Sequence, residues 1–169
     1  MLNQITKRIG VAAYRIPWVK DWWSRTYEAF SSEAIPWTPL TKPLSQCRFA
    51  LLTTGGVHLK THTPFDMTDN NGDPSYRKIP PDANMEDLKI THDYYDHRNA
   101  DRDLNLVFPI DMVRHYQQEG ILGASADFFY SFMGHIDGPH VKTLVQKTAK
   151  EVAMHLNQQQ VDIALLVPA

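Results

Sequence analysis

Eight histidines in 169 residues are the first chemistry this chain offers, and most fall in three close pairs, His58/His62, His92/His97 and His135/His140. Imidazoles placed like this can ligate a metal, move protons or bind a carboxylate. The stretch HDYYDH adds Asp93 and Asp96 beside two of them, the carboxylate support that a metal-bound imidazole uses. The spacing speaks against metal, because neither HExxH nor a Cys/His ligand pattern is present. Loop histidines that hydrogen-bond backbone are the plainer reading. His135 and His140 have a stronger claim to function. They flank a strand-to-helix turn, where backbone N–H groups and the helix dipole favour an anionic ligand.

A second candidate is Thr53-Thr54-Gly55-Gly56, which ends an apolar run. Strand followed by Gly-Gly lets backbone approach a ligand closely, although no GxGxxG and no Walker lysine accompanies it. The single cysteine, Cys47, excludes an internal disulfide, a multi-cysteine zinc site and a redox pair within one chain. It fits a reducing cytoplasm and, at the head of a buried strand, reads as an inert core thiol.

The elements that must position these residues are legible around the last nine, VDIALLVPA. A short apolar run entered from a polar QQQ turn predicts a buried strand of a parallel sheet. CRFALLT predicts another, and residues 127–132 a third. Between the third and the last lies a helix with Val141, Leu144, Val145, Thr148, Val152 and Leu156 on one face. Asp137 or Gly138 can cap it, Pro139 suits its first turn, and it ends near Asn157. Strand, helix and strand at this spacing form a right-handed parallel crossover. Thr54–Gly56, Met133–His140 and Pro168–Ala169 then share one rim, where ligands of open α/β sheets bind. The competing reading is tight turns chosen for geometry alone.

Elsewhere, residues 12–30 predict an amphipathic helix starting near Pro17, with Trp22 and Trp23 as core or as a lid on the sheet. Pro36, Pro39 and Pro43 make an extended linker. Pro109 opens a short helix with Asp111 in its first turn and Gly120 as its stop. Residues 61–105 are long, polar and poor in periodicity, apart from a short strand near Leu88–Ile90. They predict an ordered insertion covering one end of the sheet. The expected fold is an α/β three-layer sandwich with a mostly parallel sheet. Residues 1–45 form an N-terminal helix and linker, and 46–169 the α/β domain.

Composition narrows the classes. The chain is 43% hydrophobic and 21% charged, with a net charge of -2 and no basic stripe, which argues against nucleic acid as a partner. No apolar run approaches the roughly 18 residues a membrane span needs, and MLNQITKRIG is not followed by a signal-peptide core. A cytoplasmic protein is expected.

TTGGVHLKTHTPFD, GDPSYRKIP, ITHDYYDH, VFPIDMVRHYQQEG, FMGHIDGPH and VDIALLVPA, in this order, resemble the selenoprotein B-type subunits of the glycine/sarcosine/betaine/D-proline reductases. The D-proline branch is the most alike, and the resemblance runs from about residue 36 to Ala169. In that family the strand matching VDIALLVPA is followed at once by a selenocysteine or a cysteine, which opens the next helix, and a further strand-helix region completes the domain. The resemblance therefore implies a nucleophile directly after Ala169 and a sequence cut short of it, at a UGA codon or by deliberate trimming. A natural short form is the other option. A thiol at a helix N-terminus has its pKa lowered from about 8.5 to roughly 3.5–7.5, so the reactive anion is populated. That anion would attack the substrate α-carbon and cleave the C–N bond. In the D-proline branch a pyruvoyl group on a partner subunit activates the amine, and a second thiol resolves the oxidised selenium.

What the resemblance carries onto this chain is a cradle. Thr54, Gly55, Gly56, His58, His135, Asp137, Gly138 and His140 match the blocks on the substrate side, and Tyr94, Tyr95 and Asp96 belong to a covering loop. It implies no catalytic residue and no metal site within the chain. The implied partners are other reductase subunits, a thiol/disulfide reductant and a small amine or amino-acid substrate, and a homo-oligomer is expected. A sheet ending on an apolar strand also predicts dimerisation or poor solubility. Two rivals stand beside this reading. One is a non-catalytic ligand-binding or interaction module with a histidine-lined pocket, and the other is a metal-dependent hydrolase built on the histidine pairs.

Overall fold

The computed structural model describes residues 16–26 and 38–169, with Ile9 and Ala13 besides. The chain divides into two compact units, Met1–Thr41 with Asp93–Asp96, and Lys42–His92 with His97–Ala169. Tyr94, Tyr95 and Asp96, the expected covering loop, thus fall in the first unit.

In the first unit, helix α1 (Pro17–Thr26) begins where expected, with the Val19 and Lys20 amides bonding back to the Ile16 carbonyl. A proline at the first helical position has its φ preset and no N–H to leave unpaired. Trp22 is 63% exposed, so its ring is not core. The expected continuation through Phe30, Pro36 and the ring of Trp23 lies outside the described residues.

The second unit carries β1 (Phe49–Thr53), β2 (Val57–Leu59), β3 (Tyr76–Ile79), β4 (Leu88–Ile90), α2 (Ile110–Gln118), β5 (Phe129–Phe132), α3 (Pro139–Thr143), α4 (Ala149–Gln158) and β6 (Ile163–Val167). The main sheet has the order β3-β5-β1-β6, and β2 pairs with β4 in a separate antiparallel ribbon. β5 and β6 both run parallel to β1, while β3 lies antiparallel on the outer side of β5. The connection from β5 through the helices to β6 therefore passes across β1.

Alternation along these strands builds two cores. Phe49 and Leu51 of β1 join Phe129 of β5 and Ile163 and Val167 of β6 on one face, where Ile110 and Val113 of α2 cover them. Leu52, Tyr76, Tyr130 and Phe132 share the other face with Leu144, Val152 and Leu156. Strands covered on both sides must be apolar at nearly every position, which is why FALL and FFY read as continuous runs. Phe129 meets Phe49 and Phe108 edge-on, with centroids 6.4 and 6.2 Å apart. The result is the expected three-layer α/β sandwich.

The layer beneath β5 and β1 is one long helical run. α3 passes into a π turn at Leu144–Thr148 and on into α4 with helical dihedrals throughout. Leu144, Thr148, Val152 and Leu156 are spaced by four, which drifts around a helix of 3.6 residues per turn, and the wider turn takes up that drift. Val145, expected on the same stripe, is exposed instead. α2 stops before Gly120, whose φ of +70° ends the helix. Cys47 is buried just ahead of β1, its thiol directed at the Pro43 carbonyl 3.3 Å away.

Two features depart from the pattern-based expectation. β3 sits inside the stretch that shows no periodicity. Its sequence, YRKI, is a sheet edge in which Arg77 folds back over the Phe65 ring and onto the Thr63 and Pro64 carbonyls. β6 is not enclosed either. Among the described residues it pairs only with β1 in the main sheet, and Leu165 and Leu166 are 43% and 68% exposed, although their types suit an interior strand. Among the described residues, no helix is long and apolar enough to cross a membrane.

Candidate functional site

The C-terminal ends of the three parallel strands finish together. Thr53 is in register with Ser131 on one side and with Val167 on the other. Just beyond them, the Thr54 amide bonds the Val167 carbonyl (3.1 Å), and the Ala169 amide bonds Thr54 Oγ1 (3.0 Å). Gly55 bridges to Met133, and the Gly56 amide bonds the Phe132 carbonyl (2.9 Å). A methyl group built on Gly134 would lie 3.0 Å from the Thr54 carbonyl oxygen, 3.3 Å from His92 Nε2 and 3.4 Å from the Ala169 carbonyl oxygen. Thr54, Gly134 and Ala169 are therefore neighbours, as three segments sharing one rim should be. Gly134 and Ala169 are exposed there and Thr54 is half-buried.

Gly55 and Gly56 are chosen by space and backbone. Gly55 has Val107 Cβ and Thr53 Oγ1 within 3.2 Å of where its own Cβ would sit. Gly56 has φ of +69°, and a side chain there would run into the Thr91 carbonyl oxygen at 2.5 Å. The chain leaving β4 crosses this turn, because the Thr91 amide bonds the Gly56 carbonyl (2.9 Å).

That crossing places two histidines. His58 has no exposed surface, and its Nδ1 donates to the Leu59 carbonyl while its Nε2 accepts from the Thr91 hydroxyl, each at 2.8 Å. Burial holds it below its ordinary pKa and keeps it neutral. Both of its nitrogens are thus spent inside the core. His92 is only 4% exposed, and its Nε2 accepts the Gly134 N–H at 3.2 Å. Burial first, then the neighbouring His135 and His97, lower its pKa to about 4. The sequence pairs His92 with His97 and gives it no place at the rim. A usable signal was its place, two residues past a strand that pairs with the segment leaving Gly55-Gly56.

His135, Asp137, Gly138 and His140 come together on a second feature, a clasp between the turn after β5 and the loop at 66–75. His135 Nε2 donates to the Asn70 carbonyl (2.9 Å), the Asp137 amide to the Asn71 carbonyl (2.8 Å), and His140 Nε2 lies 2.8 Å from Asp69 Oδ2. Gly72 bridges to Ile136, and Gly138, with φ of +51°, has Asn71 Oδ1 where a side chain would go. The loop holds its own shape through side chains that cap amides two residues on, Asp66 to Thr68, Asp69 to Asn71 and Asp73 to Ser75. The Asn71 amide and then His140 keep the Asp69 carboxyl below its usual range. The spacing of Asp66, Asp69 and Asp73 carries the signal for these turns.

The turn that leads into α3 does not present a ready anion cradle. Its Asp137, Gly138 and His140 amides bond the Asn71 carbonyl, the Asp137 carboxylate and the Asp137 carbonyl. Among the described residues, no three His, Cys, Asp or Glu side chains gather as a metal-binding set. What the rim offers is a shelf of main chain at Thr54, Gly134 and Ala169, open to solvent on one side and backed by a neutral imidazole.

Comparison with known proteins matches residues 21–169 to the family model described as glycine/sarcosine/betaine reductase selenoprotein B. The chain is 38% identical over 130 residues to D-proline reductase subunit gamma of Acetoanaerobium sticklandii, covering 77% of this chain and 52% of that protein. It is 29% identical over 144 residues to glycine reductase complex component B subunit gamma of Symbiobacterium thermophilum, covering 83% and 32%. It is 30% identical over 128 residues to betaine reductase complex component B subunit beta of Peptoclostridium acidaminophilum, covering 72% and 28%. The chain thus spans about half the length of the first of these relatives and about a third of the others. No solved structure matches it.

Proposed function

The chain belongs to the glycine/sarcosine/betaine reductase selenoprotein B family, and from that premise we propose that its strand-end rim is the substrate side of a reductase B subunit. The reaction is reductive cleavage of a C–N bond in a small amine of the glycine, sarcosine, betaine or D-proline type. The supporting observation is the meeting of Thr54, Gly134 and Ala169 in one patch at the carboxyl ends of β1, β5 and β6, the position at which open α/β sheets bind ligands.

By family resemblance the selenol or thiol follows Ala169 directly. The Ala169 amide is tied to Thr54 Oγ1, so a group attached there would be delivered beside the Gly134 shelf. The nucleophile attacks the carbon bearing nitrogen, the C–N bond breaks toward nitrogen, and the departing amine takes up a proton. Two reductant thiols then regenerate the chalcogen: one bonds to it as the chalcogen–carbon bond breaks and the carbon takes up a proton, and the second displaces it, leaving a disulfide. This chain's residues shape the approach. Thr54 anchors the strand end, Gly134 leaves the carbon accessible, and the clasp through His135 and His140 holds the turn. The other subunits of the complex, including a pyruvoyl-bearing one for a D-proline-type substrate, and the reductant complete the reaction. These 169 residues then supply the scaffold of the site rather than its nucleophile.

Titrating glycine, sarcosine, betaine and D-proline into isotope-labelled protein tests the site. At least one should shift the amides of Thr54, Gly134 and Ala169. Shifts by all four that avoid this patch remove it as the substrate side. Amine release by the 169-residue chain alone with dithiothreitol would refute the scaffold reading.

A further inference from the structure

We propose that His92 is a positioning residue of the rim, holding the Gly134 peptide between Thr54 and Ala169 through an acceptor nitrogen. The assignment rests on four observations. His92 is 4% exposed, so its ring has one fixed setting rather than a choice of solvent-facing ones. Its Nε2 is the atom that meets the Gly134 N–H, at 3.2 Å. The same nitrogen lies 3.3 Å from the Gly134 Cβ position, a site also bounded by the carbonyls of Thr54 and Ala169. Finally, the segment bearing His92 is itself fixed to the opposite turn. Thr91 bonds Gly56 through its amide and His58 through its hydroxyl, and the Gly56 Cβ position lies 3.1 Å from His92 Cβ. One dipeptide, Thr91-His92, thus ties the turn after β1 to the turn after β5.

An Nε2 that accepts an N–H cannot carry a proton, so the neutral ring has its proton on Nδ1. The hydrogen bond fixes the tautomer as well as the turn. In chemical terms His92 acts through Gly134 and touches no substrate. It keeps the Met133–His135 backbone in the setting that leaves the shelf open. That this shelf receives an amine rests on the function proposed above, whereas the hold on Gly134 does not.

Two substitutions separate the acceptor from the ring. His92→Phe keeps a planar ring and removes the nitrogen, while His92→Gln places a carboxamide oxygen near the lost Nε2. Losing one buried hydrogen bond should raise hydrogen exchange at the Gly134 amide about tenfold in His92→Phe. His92→Gln should return it to within about threefold of wild type. Exchange at Leu51 and Phe129, in the sheet interior, serves as the control for global stability. In the wild-type protein, long-range nitrogen–proton correlation should find Nε2 unprotonated and Nδ1 protonated at neutral pH. A protonated Nε2 overturns the assignment without any variant, and so does unchanged Gly134 exchange in folded His92→Phe. If these results come out as expected and no amine shifts the rim, the positioning role stands and the proposed substrate side fails.

Discussion

Replacing His92 with Phe should flatten the acid side of the stability curve. In the fold His92 has a pKa of about 4 against an ordinary 6.5, chiefly because its buried ring resists charge. That gap corresponds to roughly 3 kcal/mol of preference for the neutral ring, a sizeable part of the 5–15 kcal/mol of a typical domain. The unfolded chain takes up the proton first as pH falls. The contribution is therefore complete above about pH 6.5, shrinks as pH drops through that value, and is gone near pH 4. His58 and His62 are also held low by burial and act in the same direction. Asp66, Asp69 and Asp162, held below 3.8 mainly by hydrogen bonds, lose their contributions only at still lower pH. Urea unfolding followed by circular dichroism, at steps between about pH 7.5 and 4, gives the slope for wild type and variant. The difference between the two curves isolates His92 and should amount to about 3 kcal/mol over that range. Parallel curves would mean that the ring is not held neutral, and the burial argument for the rim would go with it.

Three further outcomes are expected. Gly56→Ala must force a Cβ against the Thr91 carbonyl oxygen at a φ of +69°, so it should cost at least ~2 kcal/mol in urea unfolding; a neutral result would show that the turn can relax. Asp69→Asn removes the charge facing His140 Nε2, and hydrogen exchange at the Asp137 amide, which bonds Asn71, should quicken while β5 stays protected; equal protection would show that the clasp does not need the pair. Leu166→Lys places a charge on the exposed strand β6, and sedimentation should show less self-association than wild type; a wild type that is monomeric at high concentration would remove the edge as a cause of association.

The parts of this fold that could be read in advance are those where burial dictates residue type. FALLT, FFYSF and IALLV are apolar because both faces of a parallel strand are meant to be covered, and Gly120 and Pro139 mark helix ends through backbone chemistry that the residue itself carries. The edge strand β3 escaped because Arg77 and Lys78 interrupt any apolar run, and the partners of Tyr76, Arg77 and Lys78 in β5 lie more than fifty residues on. β6 suits an interior position by type, yet among the described residues only β1 lies beside it in the sheet. The convergence of Thr54, Gly134 and Ala169 followed from parallel topology. The tasks of the histidines did not follow, because a histidine in a core, in a clasp and at a rim is the same letter. His58 satisfies itself within the core, His135 and His140 fasten a loop, and His92, paired in the sequence with His97, stands nearest the shelf.

The floor beneath Gly134 is made of peptide rather than of side chains, since two of the three atoms that bound its missing methyl are carbonyl oxygens. A floor of that kind has almost no chemical vocabulary of its own. Exchanging nearby residues other than His92 would recolour its walls while leaving its contour intact. Discrimination between one small molecule and another must then come from whatever closes over it, and the same ledge could serve chemically different guests.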